Sequence, residues 1–432
     1  MILLLPALFA HCVNADSSDH TALLVTTLDP NAYSTKGAPP SCVIADYSKI
    51  GSQSYHAVDH ISFPKDKWAH LSKLHGSSGK MILVVTDAAS TYYSPFALND
   101  QGRPVQSPVR IDLSKTGSHA SFFSEQYIIG TDNNHRSVST LEQTNSDELR
   151  MVSTSKLLSL SESAQDPRIF DVEPIGISGE FIASESFLTA GSAIKTVLHV
   201  LHINSDGVIH ENSQNNLKLD GLNKVVFDLP RNLVYVLTSE YTFSSGLPKI
   251  HQYRIEPNGK LLEISLKASA FGDSGREAAA PVDSQDLQKV FPAPPVVYHP
   301  NPISVQSLKL CSRRNFLFGF GGVGMNEIYV WSIGKNGISH LLNRYHIEKD
   351  LLVRGATQAT DNQDQMSVLI RFNSYLDTTE DNLYITHDDY IDKLQKVYKF
   401  KISDDGQLTS LPLDIPIEAN RMISGMEFIQ YK

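Results

Sequence analysis

Short apolar runs separated by polar, glycine-bearing turns make up most of the chain, and the pattern is clearest from Lys224 to Ser265. There the run Leu233-Val234-Tyr235-Val236-Leu237 is apolar on both faces, which predicts a strand covered on both sides. Ile250 to Ile255 mixes polar with apolar positions, as a half-exposed outer strand does. It leads into Glu256-Pro257-Asn258-Gly259 and then a further apolar run from Leu261. Asn-Gly closes a tight hairpin because the turn needs positive φ. The predicted unit is a small antiparallel meander with a buried inner edge.

The unit recurs. Phe316-Leu317-Phe318 and Ile328 to Ile333 lead into Gly334-Lys335-Asn336-Gly337, and Thr196 to Ile203 lead into Asn204-Ser205-Asp206-Gly207. Lys396 to Ile402 lead into Ser403-Asp404-Asp405-Gly406, and Phe96-Ala97-Leu98 into Asn99-Asp100-Gln101-Gly102. Weaker copies turn at Lys49-Ile50-Gly51 and Asn145-Ser146-Asp147. The seven turns are spaced by roughly 45 to 80 residues, the range of four-stranded propeller blades with loop insertions. The expectation is therefore an all-β chain, a seven-bladed β-propeller. Its ring is closed by Thr21–Thr27 lying beside the C-terminal strand Gly425–Tyr431. Gly51 to Lys80 reads as a polar, histidine-rich insertion, and Ala268 to Pro302 as a long loop over one face.

A chain of 432 residues could hold two or three ordinary domains, and a propeller is the common way to use that length as one unit. The division expected is a signal peptide over 1–15 and the propeller over 16–432. Met1 to Phe9 is apolar and too short to span a bilayer, and Val13-Asn14-Ala15 supplies a small-residue cleavage pattern before Asp16. The segment before the apolar stretch carries no Lys or Arg, so Ile2 to Leu8 as a first buried strand is the competing reading. Export, to the periplasm or the medium, is the expectation, with no membrane insertion. Lys+Arg 37 against Asp+Glu 47 gives a net charge of −10, a balance that repels phosphate backbones and excludes nucleic acid as a partner. Cleavage removes Cys12 and leaves Cys42 and Cys311, either as a disulfide or as two buried thiols.

Few motifs carry chemistry. His56 and His60 have the spacing of metal ligands on a helix, but Pro64 and polar surroundings favour an irregular loop with surface histidines. Asp377, Glu380 and Asp381, or His387-Asp388-Asp389, do not fit a twelve-residue calcium loop and read as solvated charge. Gly319 to Gly324 is glycine-rich but precedes a strand, not a helix, so it reads as a strand connection near a channel mouth. No Gly-x-Ser-x-Gly elbow or Cys-x-x-Cys pair occurs, and no cofactor or metal is expected. Charged residues at the ends of inner strands point to the channel of a propeller, its usual binding face. Glu240 after the Tyr235 strand, Glu185 after the Phe181 strand, Asp87 after the Met81 strand and Arg371 after the Val368 strand are the candidates.

Pro230 to Glu240, Ile250 to Ile255 and Asn258 to Leu261, with Ser312 to Phe318 and Ile328 to Ile333, resemble blades of the seven-bladed lactonase-like family. That family includes the propeller-type 6-phosphogluconolactonase and carboxy-muconate cyclase. The resemblance covers about a third of the chain and is one of blade pattern. It implies an Arg-His pair before the first of these strands, an Asn-Glu at its end and an Asn-Arg-Gly in the next blade. Glu240 matches the Glu; Asn223-Lys224 stand where Arg-His is expected, and Phe320-Gly321-Gly322 replace Asn-Arg-Gly. Lys224 keeps the charge without the forked geometry of arginine. The resemblance implies a lactone hydrolase or cycloisomerase acting on a lactone or sugar acid, with Glu240 and Lys224 as catalytic groups and Arg371, Glu185 and Asp87 binding substrate. The other reading is a non-catalytic propeller that binds a glycan or protein through its loop face. Val330-Trp331-Ser332 hints at WD-type repeats, whose other punctuation is absent.

Overall fold

The computed structural model describes residues 20–28, 41–46, 57–62, 68–73, 80–86, 91–97, 99, 111–112, 121–123, 127–131, 137–143, 149–157, 165–175, 179–189, 194–220, 223–238, 249–264, 304–322, 327–346, 370–389, 394–413, 415 and 421–431. Among these the chain is nearly all β, in seven small antiparallel sheets. The first is Met422–Tyr431, His20–Leu28, Ser41–Asp46 and Ala57–Ser62; the second is Trp68–Lys73, Lys80–Thr86, Thr91–Ala97 and Ile111–Asp112. The third is Ser121–Phe123, Tyr127–Thr131, Ser137–Gln143 and Leu149–Lys156. The fourth is Gln165–Pro174, Glu180–Leu188, Ile194–Ile203 and Ile209–Glu211, with Leu217–Asp220 also paired to Ile194–Ile203. The fifth is Asn223–Asp228, Leu233–Thr238, Lys249–Ile255 and Leu261–Glu263; the sixth is Ser304–Cys311, Phe316–Gly322, Glu327–Ile333 and Ser339–His346. The seventh is Ile370–Leu376, Asn382–Asp389, Leu394–Ile402 and Leu408–Leu411. No helix among the described residues is long and apolar enough to cross a membrane.

The N- and C-terminal strands share one sheet, with Leu23 opposite Phe428 and Val25 opposite Met426. All seven turns picked out by pattern fall between the third and fourth strands of a sheet. Four of them lie within the described residues and are built alike. The glycine N–H donates back three residues, as from Gly259 to Glu256 O (2.9 Å) and from Gly337 to Gly334 O (2.8 Å). Each turn follows a buried isoleucine, Ile203, Ile255, Ile333 or Ile402, so the repeat reads Ile-x-x-x-Gly. The turns at Lys49-Ile50-Gly51 and Asn145-Ser146-Asp147 lie outside the described residues, as do Asp100 to Gly102 of the turn that begins at Asn99 and the loop Ala268–Pro302.

Both faces of the middle strands of the fourth to seventh sheets are buried because each of these packs against two others. Tyr127, Ile129 and Val138 of the third sheet meet Phe181, Ala183 and Leu201 of the fourth. Ile182, Leu198 and Val200 on the other face of the fourth meet Val234 and Val236 of the fifth. The same alternation carries the fifth into the sixth through Tyr235 and Trp331, and the sixth into the seventh through Phe318 and Ile385. The seventh meets the first through Tyr384 and Phe428. Fully burying each such side chain contributes about 1.5–3 kcal/mol, so these junctions hold the sheets together.

Three expectations are corrected. Gly51–Lys80 is not an insertion: Ala57–Ser62 and Trp68–Lys73 within it are strands, an outer strand of the first sheet and the first strand of the second. His60 there pairs opposite Val43. Gly319 to Gly322 belong to the strand Phe316–Gly322, and Gly319 is small because Trp331 Cζ3 would lie 2.7 Å from any Cβ there. Cys311 is a free, buried thiol, which rules out its pairing with Cys42. Its Sγ donates to Glu380 O at 3.8 Å, and burial pushes its pKa up to about 12.

Candidate functional site

In an antiparallel meander the start of the first strand and the end of the second lie side by side. Asn223 accordingly pairs with Thr238, Trp68 with Thr86, and Ile370 with Asp389. Lys224 is one residue into its strand, opposite Leu237, and is half-buried. Arg371 is one residue into Ile370–Leu376, at the start of that strand and not at the end of one; it sits opposite Asp388, and its side chain lies outside the described residues. Glu240 and Asp87 also lie outside them, two residues after Thr238 and one after Thr86 in sequence. The four thus belong to, or follow directly from, the end of each sheet opposite the Ile-x-x-x-Gly hairpins. Gly322, the last residue of its strand, pairs with Ser304 at the matching end of the sixth sheet, and Phe320 beside it is buried.

Glu185 is placed differently from its expectation. The strand runs on to Leu188, so Glu185 is inside it, paired opposite Val197 and 3% exposed. Its Oε2 lies 2.8 Å from His199 Nε2, while His199 Nδ1 lies 2.6 Å from Glu211 Oε1. Asn216 Nδ2 donates to the same Glu211 oxygen at 2.7 Å, and Val200 N donates to Asn216 Oδ1 at 3.1 Å. The imidazole is wholly buried, and both carboxylates are nearly so. Burial alone favours the neutral ring, but the hydrogen bonds and charges of Glu185 and Glu211 outweigh it and raise the pKa of His199.

Strand register explains this cluster. Ala183 pairs with His199 and Leu201 with Glu211, and cross-strand partners share a face. Glu185, His199 and Glu211 therefore project together toward the third sheet. The arrangement can hold a proton between two buried carboxylates. Sequence reading found Glu185 and missed His199 and Glu211. The available signal was the run Val197-Leu198-His199-Val200-Leu201, where one histidine interrupts a strand that is apolar on both faces. A buried imidazole there requires partners.

Among the described residues no group of three His, Cys, Asp or Glu side chains is arranged to hold a metal ion. The Asp377 carboxylate, a candidate in the acidic loop, is taken up by its own turn, accepting from Asp381 N at 2.9 Å and Asn382 Nδ2 at 2.7 Å.

Known proteins were compared with this chain at the level of sequence and of fold. No protein-family model matches it, and no curated protein matches it in sequence. Solved structures do. The periplasmic gluconolactonase of Pseudomonas aeruginosa superposes with a TM-score of 0.59 at 12% identity, covering 95% of this chain and 99% of that one. Its fold is lactonase-like. A putative 6-phosphogluconolactonase from Bacteroides fragilis gives a TM-score of 0.59 at 11% identity over 96% of this chain and 99% of that one. Another from Bacteroides uniformis gives 0.57 at 11% over 95% and 100%. The resemblance read from two blades of the sequence therefore extends, as fold, over nearly the whole chain. At these identities the likeness is one of architecture.

Proposed function

We propose that the seven sheets close as a seven-bladed β-propeller and that the chain is a lactonase-like enzyme hydrolysing or isomerising a lactone or sugar acid at the axial mouth. The observation that carries the reading is the end-to-end superposition on a gluconolactonase. The register that puts Lys224 beside the strand end from which Glu240 follows supports it. In this reading the Lys224 ammonium anchors the substrate carboxylate or phosphate. Glu240 takes a proton from water as its oxygen adds to the lactone carbonyl and returns it to the ring oxygen, which leaves as the hydroxyl of the product acid. Asp87 and Arg371 bind the sugar hydroxyls and acid group. Glu185 is left out of this contact set because His199 occupies its carboxylate. We further propose export, with residues 1–15 removed. Intact mass of the protein recovered from the periplasm or medium would begin at Asp16, and a retained Met1 would refute it.

The test is a panel of aldono- and phospho-aldonolactones and muconolactones, followed by acid release and corrected for spontaneous hydrolysis. The wild-type chain accelerates opening of at least one. Glu240→Gln lowers its kcat by about 10²–10⁴, the usual contribution of a general base, and Lys224→Met raises KM. Absence of acceleration across the panel, or full activity in Glu240→Gln, would sink the proposal. One observation favours the second reading, a non-catalytic propeller binding a glycan or protein. Phe320 stands where the family has the Asn of its Asn-Arg-Gly and is buried in the core. A silent lactone panel together with saturable glycan binding would support that reading instead.

A further inference from the structure

The Glu185–His199–Glu211 cluster lies outside the proposed mechanism, and its geometry demands a specific protonation state. Each ring nitrogen faces a carboxylate oxygen, at 2.8 and 2.6 Å. A neutral imidazole has one N–H and one lone pair, so it can donate to only one of them. The other nitrogen would then confront a carboxylate lone pair unless that glutamate took the proton, at a separation too short to admit a water. Only the imidazolium donates to both.

The two glutamates also come from different parts of the fourth sheet. Glu185 is in its second strand, held by pairing on both sides. Glu211 ends the three-residue outer strand Ile209–Glu211, which pairs only with Leu201 to Ile203. We propose that His199, as imidazolium, clamps the outer segment from Ile209 to Asn216 onto the fourth sheet, and that loss of its proton loosens that segment. Asn216 is part of the clamp, because it bonds both Glu211 and the backbone of Val200. The segment follows directly from the hairpin whose Gly207 carbonyl accepts from Thr140 of the third sheet at 2.6 Å. Loosening it therefore weakens the junction between the third and fourth sheets.

Glu185 and Glu211 are the charged groups that act on His199. On the neighbouring elements, Ile169 of the first strand faces Glu185 and is apolar; Lys218 of Leu217–Asp220 faces Val197 and is exposed. The third-sheet residues packed into this junction, Tyr127, Ile129 and Val138, bring no carboxylate or ammonium.

The sign follows from the raised pKa of His199. Below about pH 6.5, the ordinary histidine value, the clamped and open forms both carry the proton and the clamp is intact. Above it the open form releases the proton first, so opening grows more favourable by up to about tenfold per pH unit until the clamped form also titrates.

Hydrogen–deuterium exchange of peptides spanning 204–220 in the full chain, from pH 6 to 9, reads this directly once divided by the intrinsic exchange rate at each pH. The protection factor is expected to fall by up to about tenfold per pH unit above about pH 6.5, while peptides from the sixth and seventh sheets hold theirs. Glu211→Gln, which removes one charge at the edge of the sheet and leaves an amide acceptor, is expected to lower the protection already present at pH 6 and to end the fall at a lower pH, making it smaller. The wild-type series stands even if that variant folds poorly. Imidazole nitrogen NMR provides a second reading: His199 should carry two N–H protons at pH 6. A neutral ring at pH 6, or protection of this segment that does not change with pH, would overturn the proposal.

Discussion

The turn glycines offer a quantitative test of how the sheets are joined. Gly259 and Gly337 occupy the same place in consecutive hairpins, at φ +77° and +80°. Alanine at either position meets the same backbone cost, about 1–2 kcal/mol for the left-handed conformation. The surroundings differ. A Cβ at Gly259 would lie 2.9 Å from Glu180 Oε2, the movable tip of a partly exposed side chain. A Cβ at Gly337 would run into Cδ1 of Leu233, a buried residue of the fifth sheet held in the core. Overpacking there adds about 1–3 kcal/mol, so Gly337→Ala should cost about 2–5 kcal/mol against about 1–2 for Gly259→Ala. With about 2.1 cal/mol/K of unfolding entropy per residue, 432 residues give about 0.9 kcal/mol/K, so each kcal/mol moves Tm by about 1 °C. Scanning calorimetry of both variants should then show losses of about 1–2 °C and about 2–5 °C. A double-mutant cycle sharpens the test. Leu233→Ala removes the obstruction, so combining it with Gly337→Ala should cost less than the sum of the two by about 1–3 kcal/mol. Strict additivity, or equal losses for the two glycines, would refute the idea that each hairpin seats against the preceding sheet.

Two further outcomes follow from charge and burial. Arg314 in the sixth sheet bonds Asp381 and Asp404 of the seventh. The hydrogen bond from Arg314 is the main reason the Asp381 carboxyl sits below its ordinary pKa. A depressed carboxyl contributes stability above its unfolded pKa that is lost as pH falls through the folded value. Arg314→Ala should therefore flatten the loss of stability below about pH 4; because Asp381 is partly exposed, the difference at neutral pH is at most about 1 kcal/mol. Urea titrations at pH 3 and pH 7 would show it, and an unchanged acid slope would count against the contact. The buried Cys311 thiol, with its pKa near 12, should resist iodoacetamide at pH 8.5 in the folded chain and react on unfolding. Mass mapping of Cys311 alkylation in the native protein would contradict its burial.

The repeat was legible because it rests on local chemistry. Ile-x-x-x-Gly records a buried strand end followed by a turn that needs positive φ, and five residues suffice to show it. The meeting of terminal strands was legible too, since Leu23-Leu24-Val25 and the C-terminal run needed partners and stood at opposite ends of the chain. Long-range polar geometry was not. Glu185 was expected at a channel because it read as the end of the Phe181 strand; it lies between Ser184 and Ser186. All three are buried, Ser186 bonding Thr196 at 2.8 Å on one face and Glu185 bonding His199 on the other. Pairing across 14 and 12 residues depends on register, which the pattern does not fix when both faces of a strand are covered. Gly51–Lys80 was misread for a related reason: Asp59 and His60 break the apolar count of Ala57–Ser62, an outer strand of the first sheet.

The two ends of the sheets are under different physical demands, which bears on why the fold persists at about 12% identity to a gluconolactonase. At the hairpin end, packing and turn geometry tie each residue type to its neighbour in the next sheet. Tyr235 donates to Gly337 O at 3.0 Å, Tyr127 to Ser205 O at 2.9 Å, and Arg231 reaches Asn315. Changes there are paid for in stability. At the opposite end the first strands begin and the second strands stop, and a half-buried side chain such as Lys224 carries less of a junction than a core residue such as Phe320. The family's motif residues fall at that end, where Asn223-Lys224 and Phe320-Gly321-Gly322 depart from the pattern. Architecture and chemistry can therefore diverge independently in this chain. A transplant tests that directly: Asn223→Arg with Lys224→His should leave Tm within about 1–2 °C, as surface substitutions do, while altering KM on any lactone that the wild-type chain opens. A collapse in stability would show that this end is also part of the packed frame.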